Sequence, residues 1–378
     1  LLTSPFGGLS ESEAIFPADG ILVPCPSDAI PMITFYNHLH AQHQGKVEMF
    51  RGALVPCFEV PARADHVLAE LTHRGLGSVR QPHAFEATVL ERIHSPRYLA
   101  FLASAWDQWV ALDPANADKD ILPSVWPTRT FRTDIEPDNF AAKVGLYSYD
   151  AGTPFTGGTW VAARAGAECA LSAAQQVLAG DRVAFALSRP PGHHAGADFF
   201  GGYCFLNNAA LAAQYLRDNG LARVAVLDVD YHHGNGTQAI FYDRPDVFFA
   251  SLHGDPRTEY PFYLGHADEV GTGAGEGYNL NLPLPRGTGF HAWLRALETA
   301  LGRIQQFGAQ ALVVSLGMDT FVGDPISGFT LHSDDYLRVG KTLAGLGVPT
   351  VFVFEGGYAV AEVGINAVNV LEGFLQAA

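Results

Sequence analysis

The chain is poor in cysteine, in basic residues and in long apolar runs. Its four cysteines, Cys25, Cys57, Cys169 and Cys204, lie far apart, and no Cys-x-x-Cys occurs. That spacing excludes a zinc ribbon and a thioredoxin-type site and points to free thiols in a reducing compartment. Lys and Arg total 23 against 39 Asp and Glu, a net charge of −16. Such a balance argues against a nucleic-acid partner held through its phosphates and favours cationic ligands. Every strong apolar run is interrupted by Gly, Pro or charge, so no segment is long enough to span a bilayer. Hydrophobic residues nevertheless make up 48% of the 378 positions, enough for a sizeable core, and global disorder is excluded.

Residues 1–31 are rich in Pro, Gly, Ser and acidic side chains and lack the basic start and apolar core of a signal peptide. The expected organisation is an N-terminal extension over 1–31, then a single cytoplasmic domain over 32–378. Within that domain Arg182–Leu187, Val224–Asp230, Val247–His253, Ala311–Gly317 and Thr350–Glu355 read as strands, and a further strand opens at Met32. Ala167–Ala179, Asn207–Asn219 and His291–Phe307 carry helical spacing. Apolar strands separated by helices predict an α/β fold, one parallel sheet with helices on both faces. Residues 111–159, rich in Pro, Asp and Gly, read as a loop or insertion near the site.

Ligands of such sheets bind beyond the carboxyl ends of the strands. Polar clusters converge there. Asp228 and Asp230 close one strand, Asp319 follows another, Glu355-Gly-Gly-Tyr358 ends a third, and His193 and His194 follow a fourth. Asp230 and His232 are two apart and, if extended, project to one side. With Asp319 they make two oxygen donors and one nitrogen, the open set of a catalytic metal rather than a closed structural one. Zinc is the first choice, while the oxygen-rich donors also suit iron(II), cobalt or manganese. A lone Asp-x-His is more often a cap or a core pair; the paired histidines and Asp319 decide against that here. Glycines flank His193-His194 at Gly192 and at Gly201-Gly202, which suggests close backbone approach by a ligand. Tyr358 is placed to donate to a developing oxyanion.

Five ordered blocks carry a resemblance. Arg189-Pro-Pro-Gly-His-His194, Gly201-Gly-Tyr-Cys-Phe-Leu-Asn-Asn208, Asp228-Val-Asp-Tyr-His-His-Gly-Asn-Gly236, Ser315-Leu-Gly-Met-Asp-Thr320 and Glu355-Gly-Gly-Tyr358 resemble the histone deacetylase superfamily, most of all its bacterial acetylpolyamine amidohydrolase branch. The resemblance implies the arginase–deacetylase fold and zinc bound by Asp230, His232 and Asp319. It implies that His194 serves as base and acid, His193 as electrostatic partner and Tyr358 as oxyanion donor. His193 is then expected to pair with Asp228, which favours imidazolium, and His194 with the neutral Asn235. Two structural potassium sites are implied. The first takes Asp228, Asp230, His232, Ser251 and Leu252; the second takes Phe241, Arg244, Val247 and Tyr278. Gly202, Tyr203, Tyr260 and Ile326 are implied to line the substrate channel.

One departure stands out. Where polyamine enzymes of this type carry a glutamate before the Gly-Thr-Trp block, this chain has Gly152; Asp150, Asp138 and Glu136 are the candidate substitutes. His38–Arg51 resembles an insertion that forms a homodimer and narrows the channel mouth, with an ordinary surface loop as the competing interpretation. The expected function is therefore deacetylation of small acetylated amines such as polyamines, with no nucleic-acid or membrane partner. A class II-type lysine deacetylase acting on proteins or peptides is the alternative.

Overall fold

Val183–Leu187 is apolar at every position and Val224–Asp228 at all but its last, and both are buried throughout, as strands covered on both faces are. The structure, a computed structural model, describes residues 32–378. The N-terminal extension expected over 1–31 lies outside the described residues. In chain order the strands are β1 (Ile33–Tyr36), β2 (Val47–Phe50), β3 (Ala53–Pro56), β4 (Ser78–Arg80), β5 (Val183–Leu187), β6 (Val224–Asp228), β7 (Val247–Gly254), β8 (Asn279–Leu284), β9 (Ala311–Leu316) and β10 (Thr350–Phe354). The α-helices are α1 (Ala62–Arg74), α2 (Ala87–Leu90), α3 (Pro96–Leu112), α4 (Phe140–Tyr147), α5 (Thr159–Leu178), α6 (Asn208–Asp218), α7 (Asn235–Phe241), α8 (Phe290–Phe307), α9 (Ser333–Ala344) and α10 (Val360–Ala377).

Eight strands form one sheet in the order β4-β1-β5-β10-β9-β6-β7-β8, and every pairing in it is parallel. Alternate residues feed two separate cores. Ala184, Val226, Val313 and Val351 face the layer of α3, α5 and α6. Phe185, Leu227, Val314 and Phe352 face the layer of α1, α8, α9 and α10. The expected α/β fold with helices on both faces is what forms. Helix α5 starts earlier than the alanine pattern suggested, because its first turns are also buried: Thr159, Ala162, Ala163 and Ala165 all pack inward.

The strand order positions the site. Strands β5, β10, β9 and β6 are adjacent at the centre of the sheet although distant in sequence, so the polar segments after them meet at one edge. β2 and β3 stand apart as an antiparallel hairpin. Its turn residues Arg51 and Gly52 both have positive φ, 50° and 84°, the conformation that two-residue hairpin turns demand. Among the described residues no helix is long and apolar enough to cross a membrane.

Candidate active site

Strand β6 ends at Asp228, two residues before the sequence suggests, so Asp230 and His232 meet through a turn rather than by strand alternation. The Asp230 carboxylate accepts the His232 backbone N–H at 2.9 Å, while the backbone N–H of Tyr231 reaches Asp319 at 2.7 Å. One ligand atom from each of Asp230, His232 and Asp319 lies within 4.8 Å of the other two, and all three residues are buried. His232 Nδ1 stands 2.8 Å from Asp319 and 3.4 Å from Asp230.

Neither carboxylate has a Lys or Arg partner among the described residues. Burial and the neighbouring Asp230 push Asp319 up to about 8. Burial opposes charge on His232, but Asp230 and Asp319 outweigh it and lift the ring to about 10. Two carboxylates buried around one imidazole with no Lys or Arg beside them make a site that favours positive charge. The backbone leaves room for it: a Cβ at Gly356 would stand 2.5 Å from an Asp230 oxygen and 2.8 Å from an Asp319 oxygen. These residues fit a divalent metal. His193, Cys204 and Glu355 also cluster, but His193 is spent on Asp228, and Glu355 accepts the backbone N–H groups of Gly192 (2.6 Å) and His193 (3.2 Å).

The two histidines after β5 are equally buried and electrostatically opposite. His193 Nδ1 lies 2.9 Å from Asp228. Burial works against its imidazolium, yet Asp228 and then Asp230 raise it to about 10. His194 Nδ1 lies 2.6 Å from Asn235 Oδ1. An amide oxygen only accepts, so Nδ1 carries the proton and Nε2 keeps its lone pair. Burial, reinforced by His193 and His232, pushes His194 well below the ordinary histidine value.

The glycines here make room for the protein's own atoms. A Cβ at Gly202 (φ 53°) would lie 2.2 Å from His194 Cδ2, and one at Gly192 would lie 2.5 Å from the Asn208 backbone nitrogen. The close approach is by the protein itself. Asn207 caps α6 through the Ala210 N–H and donates to the Ala195 carbonyl at 2.9 Å, bracing the histidine turn.

Tyr358 is buried, and burial keeps its phenol protonated. Its backbone N–H donates to Asp324 at 2.7 Å. The Arg63 guanidinium sits 4.8 Å from the centre of its ring, donates to the Gly357 carbonyl at 2.6 Å and also reaches the Glu355 carbonyl. Buried Glu59 joins Arg63 (2.8 Å) to Arg189 (2.7 Å), and Arg189 binds the carbonyls of His40 and His43, both at 2.6 Å. Burial opposes charge on Glu59, but the two arginines hold its carboxyl down at about 2. One carboxylate thus ties the tyrosine loop, the start of the histidine block and the segment before β2 together. None of Glu59, Arg63 and Asp324 was singled out from the sequence; the Glu59 and Arg63 pair, four apart around Pro61 at the start of α1, was the available signal.

A cavity of about 390 Å³ opens onto His194, His232 and Tyr358. Gly202, Tyr203, Tyr260 and Ile326 line it, as do Glu48, Asp150 and Glu259. The Tyr260 ring stands at 90° to His194 with centres 5.1 Å apart, and Tyr203 lies 5.5 Å from Tyr358. Of the three acidic candidates near the missing glutamate, only Asp150 reaches the cavity. Glu136 pairs instead with Lys143 at 3.0 Å and with the Tyr147 hydroxyl, and Asp138 is exposed elsewhere. Of the expected potassium ligands, Asp228 and Ser251 are register partners on β6 and β7, with Leu252 next along. Phe241 and Arg244 lie where α7 leads into β7, and Tyr278 bonds the β7 backbone through Phe249 at 3.0 Å. Of the four cysteines, Cys57, Cys169 and Cys204 are described, and all three are free.

The histone deacetylase domain matches residues 57–374. The chain belongs to the histone deacetylase family. This deacetylase is 54% identical to acetylpolyamine amidohydrolase 2 of Pseudomonas aeruginosa, over 91% of this chain and 98% of the relative. It is 47% identical to the acetylpolyamine amidohydrolase of Mycoplana ramosa, over 90% of this chain and 99% of that one. Its fold matches the acetylpolyamine aminohydrolase structure from Burkholderia pseudomallei with a TM-score of 0.86 at 38% identity, covering 92% of this chain and 99% of the other. It also matches the HDA15 HD domain, with a TM-score of 0.75 at 27% identity, covering 92% and 90%. The fold is the arginase–deacetylase fold.

Proposed function

We propose that this deacetylase removes acetyl groups from small acetylated amines of the polyamine type. The carrying observation is the cavity lining. Aromatic walls lead to His194 and Tyr358, and two carboxylates on the lining, Glu48 and Asp150, have no Lys or Arg partner among the described residues. Arg51, the one Lys or Arg of the lining, stacks over Phe50 at 4.9 Å. Such walls suit an aliphatic chain with a distal ammonium. Relatives matched over 98%, 100% and 99% of their length, named acetylpolyamine amidohydrolases, support the same substrate class.

Asp230, His232 and Asp319 would hold the divalent metal, zinc in the first instance, with iron(II), cobalt or manganese compatible with the donors. When bound, it would polarise the amide carbonyl and make an attacking water more acidic. His194 takes the proton of that water at Nε2, since Asn235 holds the tautomer that leaves this lone pair free. The same proton then goes to the leaving amine nitrogen. Tyr358 donates its O–H to the carbonyl oxygen as negative charge develops. His193 stays protonated between Asp228 and Asp230 and balances their charge. The Gly202 carbonyl accepts the amide N–H, and Ile326 packs along the chain. Structural potassium at the two residue sets above, a cytoplasmic setting, and a homodimer formed through the 38–51 segment complete the proposal. Exposed Met49 and Leu54 on the hairpin support the last point.

The test compares kcat/KM for N-acetylputrescine with that for an acetyl-lysine peptide on one metal-loaded preparation. A clear preference for the diamine is expected. Preference for the peptide would recast the chain as a lysine deacetylase of the class II type.

A further inference from the structure

Two loops leave adjacent central strands side by side. The loop after β9 carries Asp319 and, further on, Ile326 of the channel wall; the loop after β10 carries Tyr358. They are tied together in two places. The Met318 N–H donates to the Gly356 carbonyl at 3.0 Å, and the Tyr358 N–H donates to the Asp324 carboxylate at 2.7 Å. The first tie joins backbone to backbone; the second uses a buried side chain.

Asp324 divides its carboxylate between two donors. One oxygen accepts the Ile326 N–H at 3.0 Å, two residues on, which closes a turn. The other oxygen takes the Tyr358 N–H. Burial lifts the carboxyl to about 6, more than the two N–H groups offset, and no Lys or Arg faces it among the described residues. A buried carboxylate without a countercharge is costly. The turn alone does not require it, because Asn or Ser closes such a turn with one oxygen. What the carboxylate adds is a second acceptor: the other polar atom of an amide is a donor and would oppose the Tyr358 N–H.

The anchor is firm and the group it holds is not. On the Asp324 side, Val322 N–H donates to the Leu331 carbonyl at 2.9 Å and Asp324 N–H to the Phe321 carbonyl at 3.0 Å, while the Thr320 and Tyr336 hydroxyls meet at 2.8 Å. Tyr358 instead follows Gly356 and Gly357, and Gly357 has a φ of 115°, open to glycine and few others. Arg63 holds the Gly357 carbonyl and one face of the ring, but neither contact fixes the Tyr358 N–H. The phenol oxygen lies at the far end of the side chain, so a small backbone rotation displaces it by more than the backbone itself moves.

We propose that Asp324 is a positioning residue for the oxyanion donor: its carboxylate fixes the Tyr358 backbone against the loop that carries Asp319 and so sets where the phenol hydroxyl meets the carbonyl oxygen. This rests on the oxyanion role given to Tyr358 above.

The experiment measures kcat, KM and metal content with N-acetylputrescine on wild type, Asp324→Asn, Tyr358→Phe and the double variant. Asp324→Asn should lower kcat by roughly tenfold to a hundredfold, the loss that a misplacement of about 1 Å brings, with KM and metal content unchanged. In the Tyr358→Phe background the same substitution should cost less than about twofold, because no hydroxyl remains to be placed. Asp324→Ser, which keeps one acceptor for the Ile326 N–H, should match Asp324→Asn and replaces it in the cycle if thermal melting shows the amide variant unfolded. Equal losses with and without the Tyr358 hydroxyl would mean that Asp324 acts elsewhere and would overturn the proposal. So would a loss confined to KM, a loss of metal, or a folded Asp324→Asn enzyme at the wild-type kcat. A Tyr358→Phe enzyme at full rate would instead refute the oxyanion role itself, and the positioning role with it.

Discussion

Replacing Asn235 by Asp puts a carboxylate where His194 Nδ1 now meets an amide oxygen at 2.6 Å. The structure contains its own control. His193 is as buried as His194, and Asp228 at 2.9 Å, with Asp230 beyond it, raises it to about 10, whereas His194 lies well below the ordinary value. An opposite charge at this range shifts a pKa by about 1 to 3 units, and each unit is about 1.36 kcal/mol. The sign follows directly. Raising the His194 pKa means that the free-base form needs a higher pH, so the acid limb of kcat/KM moves upward. Once that pKa exceeds the assay pH, each further unit removes about tenfold of the active base. The assay is kcat/KM for the acetylated diamine from about pH 5 to about pH 9, with metal content measured alongside. An acid limb that stays put in a metal-replete Asn235→Asp variant would show that His194 is not the group whose protonation limits the rate.

Tyr358→Phe should leave metal content and substrate affinity in place while lowering kcat by about a hundredfold to a thousandfold; stopped-flow binding with steady-state kinetics separates the two, and a full-rate variant would remove Tyr358 from the oxyanion role. Glu59→Ala strands two buried arginines and should cost about 3–5 kcal/mol in urea unfolding, with Glu59→Gln milder; an unchanged midpoint would mean that Arg63 and Arg189 find other partners.

How much the sequence could show differs residue by residue. His193, His194, Asp228, Asp230, His232, Asp319 and Tyr358 were legible because each ends or follows a buried, largely apolar strand, and the four central strands of a parallel sheet bring such segments to one edge. The path between them was less legible. Asp230 and His232 looked extended, but the Asp230 carboxylate captures the His232 N–H and bends the chain, a local side-chain bond that competes with the strand. Glu59 could not be placed from sequence, since its bond to Arg189 spans 130 residues. Glu48 was hidden for another reason. Within Val47-Glu-Met-Phe50 it looks like the solvent face of an ordinary hairpin, and only the packing against Gly152 and Tyr203 shows that this face is the inward one.

The most direct test of the account is metal stoichiometry against turnover. Chelated protein should lose deacetylase activity and regain it in proportion to divalent metal up to one ion per chain, while Asp319→Asn should neither hold that ion tightly nor regain the rate. Turnover that persists in metal-free protein, or that returns in full with Asp319→Asn, would contradict the assignment of Asp230, His232 and Asp319 as the catalytic centre.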